Sequence, residues 1–168
     1  EFLLGSFETL VSMLRKNEAT GAFIILDNLQ ENPGQPGDAE LAQQYDEKYS
    51  GMYLCDYDPF GNKRNYEDIF LLRGPSELLN LHNLSLDADW LPDFYFAVSD
   101  GKEDYVQRIV ESSRKNLSRG ERALGVWRVG GHVDNFVYKD SIIYLEPIIY
   151  KQKEVVGILG IEISCRQI

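Results

Sequence analysis

The chain has 168 residues, the length of one domain, and a composition of 43% hydrophobic and 26% charged residues, enough for a globular core of its own. A mean hydropathy of −0.32 excludes a membrane-embedded bundle and a disordered tail alike. Seventeen Lys and Arg against 27 Asp and Glu leave a net charge of −10, which disfavours nucleic acid and anionic lipid surfaces as partners.

Leu3, Leu4, Phe7, Leu10, Val11 and Leu14 fall at the spacing of one helical face, which predicts an amphipathic helix over residues 2–17, ended by Asn17 to Gly21. The run Ala22 to Asp27 is short, apolar and β-branched, and so predicts a strand. Pro and Gly make a loop of Asn28 to Gly37, and Asp38 can cap a short helix reaching about Lys48. A second strand spans Gly51 to Tyr57 and stops at Asp58-Pro59.

Residues 60–100 are mixed. Pro75-Ser76-Glu77 marks a helix start, and an aromatic cluster follows around Trp90, Phe94, Tyr95 and Phe96. Tyr105, Val106, Ile109 and Val110 share one face of a further helix, with Arg114 and Lys115 towards its end. The last third is strand-like: 123–129, a piece near Phe136 to Tyr138, 141–150 and 154–164. The last two flank Lys151-Gln152-Lys153, which predicts an antiparallel hairpin. The final strand, EVVGILGIEIS, is apolar on both sides and is expected to be covered on both faces, with the opening helix as one cover. The fold class that results is α+β, with a long N-terminal helix packed on a twisted, mostly antiparallel sheet of about five strands. One domain over 1–168 is expected, helix 1–20 followed by a sheet with helical insertions over 21–168.

Chemistry-bearing patterns are sparse. Asp56, Asp58, Gly61 and Glu67 stand at positions 1, 3, 6 and 12 of an EF-hand-like loop, the spacing of hard oxygen ligands around a turn glycine. Phe60 at position 5, Pro59 and the basic Lys63 and Arg64 oppose a metal, and a strand ending in an Asp-Pro-Phe-Gly turn is the better account. Asp87, Asp89 and Asp93 lie close together, and a small hydrolase would use Asp87 and Asp93 as acid and base, although such residues more often cap turns. With two histidines, no C-x-x-C, no G-x-S-x-G, no P-loop and no G-x-G-x-x-G, neither a catalytic residue nor a cofactor is expected. Cys55 and Cys165 sit in apolar runs and read as two buried thiols rather than a disulfide.

What remains is a set of aromatic and polar residues suited to a small-molecule pocket: Arg73, Trp90, Tyr95, Trp127, Arg128, Asp134 and Tyr144, with Tyr138 and Asp140 beside them. Taken singly, each aromatic also reads as core packing, and Asp134, after Gly130-Gly131, as part of a surface loop.

The order of elements resembles the Cache, or PDC-type PAS-like, sensor domains of bacterial receptors. The resemblance covers nearly the whole chain. It rests on the long first helix, the strand pair GAFIILD and GMYLCDYDP, Trp90, Trp127, and the closing strands IIYLEPII and VVGILGIEIS. It implies an extracytoplasmic domain, flanking transmembrane helices in a longer protein, a small-molecule ligand and a homodimer through the first helix. The chain opens without Met inside a helix and closes after an apolar strand, in keeping with a piece cut from between two spans. The family's amino-acid-binding members carry Arg-x-Trp-Tyr and an Asp in the last strand. Here Trp90 fits the Trp, Ala88 and Leu91 replace the Arg and Tyr, and Glu162 takes the place of the Asp, so an amino-acid receptor is not implied. The other classes open to the sequence are a cytosolic PAS- or GAF-like regulatory module and, on 12% aromatics, a carbohydrate-binding or adhesion domain.

Overall fold

The computed structural model describes residues 2–27, 49–61, 66–86, 105–130, 141–151 and 154–164. They form helices α1 (Phe2–Asn17), α2 (Glu77–His82) and α3 (Tyr105–Ser118) and strands β1 (Gly21–Asp27), β2 (Tyr49–Asp56), β3 (Ile69–Arg73), β4 (Ser85–Leu86), β5 (Val126–Gly130), β6 (Ser141–Tyr150) and β7 (Glu154–Ser164). The strands make one sheet in the order β4-β3-β2-β1-β7-β6-β5. Neighbours are antiparallel throughout, save for the short parallel β3–β4 pair.

The α+β class, the first helix and the closing hairpin agree with the expectation from sequence; the strand count does not. Among the described residues the sheet has seven strands rather than about five, because Ile69–Arg73 and Ser85–Leu86 extend it beyond β2. The predicted helix at 38–48 and the strand piece at 136–138 lie outside the described residues.

Alternation assigns each face of the sheet its own core. Ala22 and Ile24 of β1, Met52 and Leu54 of β2, and Ile69 and Leu71 of β3 pack with Phe7, Leu10, Val11 and Leu14 of α1 and Leu78 of α2. Phe23 and Ile25, Tyr53 and Cys55, and Ile143 and Leu145 turn the other way, onto Ile109 and Val110 of α3. The predicted double coverage of β7 follows: Val155 and Ile158 join the α3 core, while Leu159, Ile161 and Ile163 border the α1 core. Gly160 is required by this packing, since the Phe23 ring occupies the space its side chain would need. Burying two faces of one sheet is what lets a chain of this length form a stable core.

The join between α1 and β1 is tightly bonded. Glu18 takes a left-handed backbone (φ 51°). The Ala19 N–H returns to the Leu14 carbonyl, and the Thr20 N–H donates to the Glu162 carbonyl, both at 2.9 Å. The Thr20 carbonyl accepts the Asp56 N–H, also at 2.9 Å. These bonds tie the end of α1 to β2 and β7 at once.

Candidate functional site

The α3 face holds a polar group that apolar packing does not account for. Tyr53, in the middle of β2, and Glu162, near the end of β7, are 0% and 1% exposed. They reach each other across β1, where Gly21 pairs with Cys55 on one side and Glu162 on the other. The Tyr53 hydroxyl donates a short hydrogen bond to Glu162 Oε2. Gly21 makes the approach possible: a Cβ there would collide with both the Tyr53 ring and the Glu162 carboxylate.

Only half of this carboxyl is satisfied. Glu162 Oε1 is buried without a hydrogen-bond partner among the described residues, and so is Ser141 Oγ on β6. The β6–β7 register pairs Ile143 with Glu162 and Ser141 with Ser164, which sets Ser141 diagonally beside Glu162 on the same face. Burial raises the Glu162 carboxyl from the ordinary 4.5 to about 7, against the smaller lowering effects of Tyr53 and Ser141. Burial, followed by the adjacent Glu162 charge, pushes the Tyr53 phenol well above its usual range. The group can therefore hold or release a proton near neutrality, and it offers an acceptor oxygen and a hydroxyl to any molecule that reaches them.

The pocket residues expected from sequence fall in several places. Trp127 and Tyr144 do come together, as a cross-strand pair of β5 and β6 with ring centroids 4.8 Å apart and tilted by 45°. Tyr144 alternates with Ile143 and Leu145, so this pair lies on the α1 side of the sheet, opposite Glu162. Trp127 is 60% exposed. Arg73 sits across from Tyr53 in the β2–β3 register, and Arg128 across from Ile143, which itself pairs with Glu162. At backbone level the two arginines thus flank the Tyr53–Glu162 pair. Arg73 lies five strand spacings from Trp127, roughly 24 Å along the sheet, so the two do not share one pocket. Trp90, Tyr95, Asp134, Asp87 and Asp93 lie outside the described residues.

The loop after β2 forms the expected turn. β2 runs as strand to Asp56, where an EF-hand would need a helix. Asp56 is buried; its Oδ1 accepts the Asp58 N–H at 3.0 Å, and the Gly61 N–H donates to the Asp58 carbonyl at 2.9 Å. Glu67 is exposed. No three His, Cys, Asp or Glu among the described residues are grouped to hold a metal ion. Cys55 is a buried thiol on the α3 face, and Cys165 lies outside the described residues.

Sequence reasoning reached Glu162 only through a family resemblance and missed Tyr53 and Ser141. The available signal was the one acid inside VVGILGIEIS, a strand expected to be covered on both faces. A charge at such a position demands a partner.

No described helix is long and apolar enough to cross a membrane. No family model matches the chain, and no curated protein matches it. Among solved structures the chain is similar to one described as "Flavin Analogue Sheds Light on Light-Oxygen-Voltage Domain Mechanism", at 17% identity over 94% of this chain and 85% of that one, with a TM-score of 0.29. A superposition that loose carries no argument; the fold rests on the strand order and helix packing of this chain itself.

Proposed function

We propose that this chain is a PAS-like sensor domain of the Cache type: the extracytoplasmic part of a bacterial signal-transduction receptor that binds a small molecule and passes the change to flanking transmembrane helices. The observation that carries this reading is the half-satisfied Tyr53–Glu162–Ser141 group. Buried polar atoms without partners are rare in folded domains, and a ligand or ordered water completes them. A ligand bringing hydrogen-bond donors to Glu162 Oε1 and Ser141 Oγ would supply the missing bonds. Binding rather than turnover is the activity.

The route from the site is short. The Glu162 carbonyl holds Thr20 at the end of α1, so a ligand that shifts β7 changes how α1 sits on the sheet. The outer side of α1, with Phe2, Gly5, Glu8, Thr9 and Lys16 exposed, is where a second copy would pair in a receptor dimer.

A thermal-shift panel of organic acids, amines, amino acids, sugars and nucleobases tests the reading on wild type, Ser141→Ala and Glu162→Gln. A ligand at about 100 times its Kd adds about 2.7 kcal/mol, a rise in Tm of roughly 5–10 °C for this length. One chemical class giving that shift in wild type, and losing it in either variant, supports the proposal. A flat panel from folded protein, or full shifts in both variants, overturns it. Apolar spans of about 20 residues on both sides of this segment in the full-length gene support the extracytoplasmic placement. Their absence makes it a cytosolic PAS- or GAF-like module.

A further inference from the structure

Glu162 joins two parts of the molecule that lie on opposite sides of the sheet. Its side chain belongs to the α3 face, bonded to Tyr53. Its backbone carbonyl accepts both the Thr20 N–H at 2.9 Å and the Thr20 hydroxyl at 3.1 Å. Thr20 is the last residue before β1, and the bonds around it fasten the end of α1.

We propose that Glu162 is a proton switch: loss of a proton from its carboxyl loosens the Thr20 joint and frees the end of α1, and uptake of the proton locks it again. The proposal rests on the same carboxyl as the ligand reading, but its ligand is the proton itself.

With the proton on, the carboxyl is neutral, Oε2 accepts from Tyr53, and the cost of burying a charge is absent. With the proton off, the Tyr53 and Ser141 hydroxyls favour the charge, but burial outweighs them, and no cation among the described side chains is paired with it. β1 presents Gly21 and Phe23, and β2 presents Tyr53 and Cys55, both acids whose ionisation would add negative charge. β6 presents Ser141 and Ile143, and β7 itself adds Gly160 and Ser164. α3 brings Ile109 and Val110 to this face. Its Arg114 is held at the other end of β1 and β7, 3.4 Å from Asp27 and 3.1 Å from the Val155 carbonyl. Arg73 and Arg128 occupy register positions next to Tyr53 and Ile143.

Such a charge gains stability by reaching water. Hemmed in by Gly21 and the Tyr53 ring near the end of β7, it does so by turning its own peptide or by parting β7 from β1. Either movement displaces the carbonyl that holds Thr20. The position of the switch is set by burial, which places the carboxyl at about 7.

Amide hydrogen exchange in the protein without added ligand, corrected for the intrinsic base-catalysed rate, reads the joint directly. The expected result is that protection of the Thr20 amide falls between about pH 5.5 and 8.5 by roughly tenfold or more beyond any fall at the buried mid-helix amide of Leu10, which reports the loss of global stability. Glu162→Gln, which keeps a neutral hydrogen-bonding head at all pH, holds Thr20 protected across the range. Thr20 protection that is flat in folded wild type, or that falls equally in Glu162→Gln, overturns the switch. Should the glutamine variant not fold, the carboxyl carbon-13 shift of Glu162 in wild type decides: a midpoint near neutrality supports the proposal, and one below about pH 5.5 overturns it. A flat thermal-shift panel leaves this result standing, and a pH-flat Thr20 leaves the ligand reading standing.

Discussion

The two faces of the sheet are built from the same strands by simple alternation, yet they bury different things. Under α1 and α2 the core is aliphatic and aromatic, with Phe7, Leu10, Val11 and Leu14 laid over Ala22, Ile24, Met52 and Leu54. Under α3 the apolar cluster surrounds a tyrosine and a glutamate, and one oxygen of the glutamate has no partner among the described residues. The first arrangement is held chiefly by apolar contact, and its one buried acid, Asp56, among the described residues accepts the Asp58 N–H. The second gives up part of such contact to keep a carboxyl out of water, which is the usual mark of a group retained for its chemistry. One face is held by apolar packing, and the other adds to its apolar packing a buried carboxyl that burial raises to about 7.

This division implies that substitutions on the two faces fail differently. The largest effect belongs to the α1 face. Leu10→Ala removes a fully buried side chain and leaves a cavity, and is expected to lower unfolding free energy by about 2–5 kcal/mol at any pH, read by urea denaturation. The next belongs to the α3 face and depends on pH. The Glu162 carboxyl is raised above its unfolded value, so between about 4.5 and 7 the folded chain binds more protons than the unfolded one. The stability it contributes is complete below about pH 4.5 and is lost as pH rises through about 7. At about 1.4 kcal/mol per pH unit the loss is about 3 kcal/mol, absent from Glu162→Gln. Equal pH profiles for the two proteins would erase the contrast between the faces.

Tyr53→Phe comes third. It leaves Glu162 Oε2 without its donor at nearly constant volume and is expected to cost about 1–3 kcal/mol, more at alkaline than at acid pH. A smaller effect is expected where α3 is fastened to the sheet by an ion pair. The Arg114–Asp27 pair is 3.4 Å long with the arginine 40% exposed, so Arg114→Gln is expected to cost less than about 1 kcal/mol and to lose that difference in high salt.

What the sequence reveals follows the same physics. α1 is legible because Phe7, Leu10, Val11 and Leu14 repeat at the helical period, and the double coverage of β7 is legible because EVVGILGIEIS has no polar side. β3 is missed because Ile69–Arg73 is a five-residue run inside a mixed stretch, and β4 because two residues have no period to read. The site is harder still. Tyr53 and Glu162 are 109 residues apart and meet only because β2, β1 and β7 are neighbours in the sheet, an order that no local pattern encodes. Trp127 and Tyr144 share a chemistry suited to one pocket, and the β5–β6 register does unite them, but on the face away from Glu162.

That last separation gives the smallest and sharpest of the tests. Trp127 is mostly exposed and touches Tyr144 at the edge of the sheet, where Leu124 and Val126 are exposed as well. An exposed aromatic pair contributes little beyond its modest burial, so Trp127→Ala is expected to change stability by no more than about 0.5–1 kcal/mol. Its value lies in a second readout. If recognition is confined to the α3 face, a ligand found by thermal shift raises the Tm of Trp127→Ala as much as it raises that of wild type, because the sheet stands between the indole and Glu162. If the ligand shift disappears while the unliganded Tm stays put, recognition extends to the α1 side at the β5 edge, and the assignment of one face to stability and the other to response is wrong.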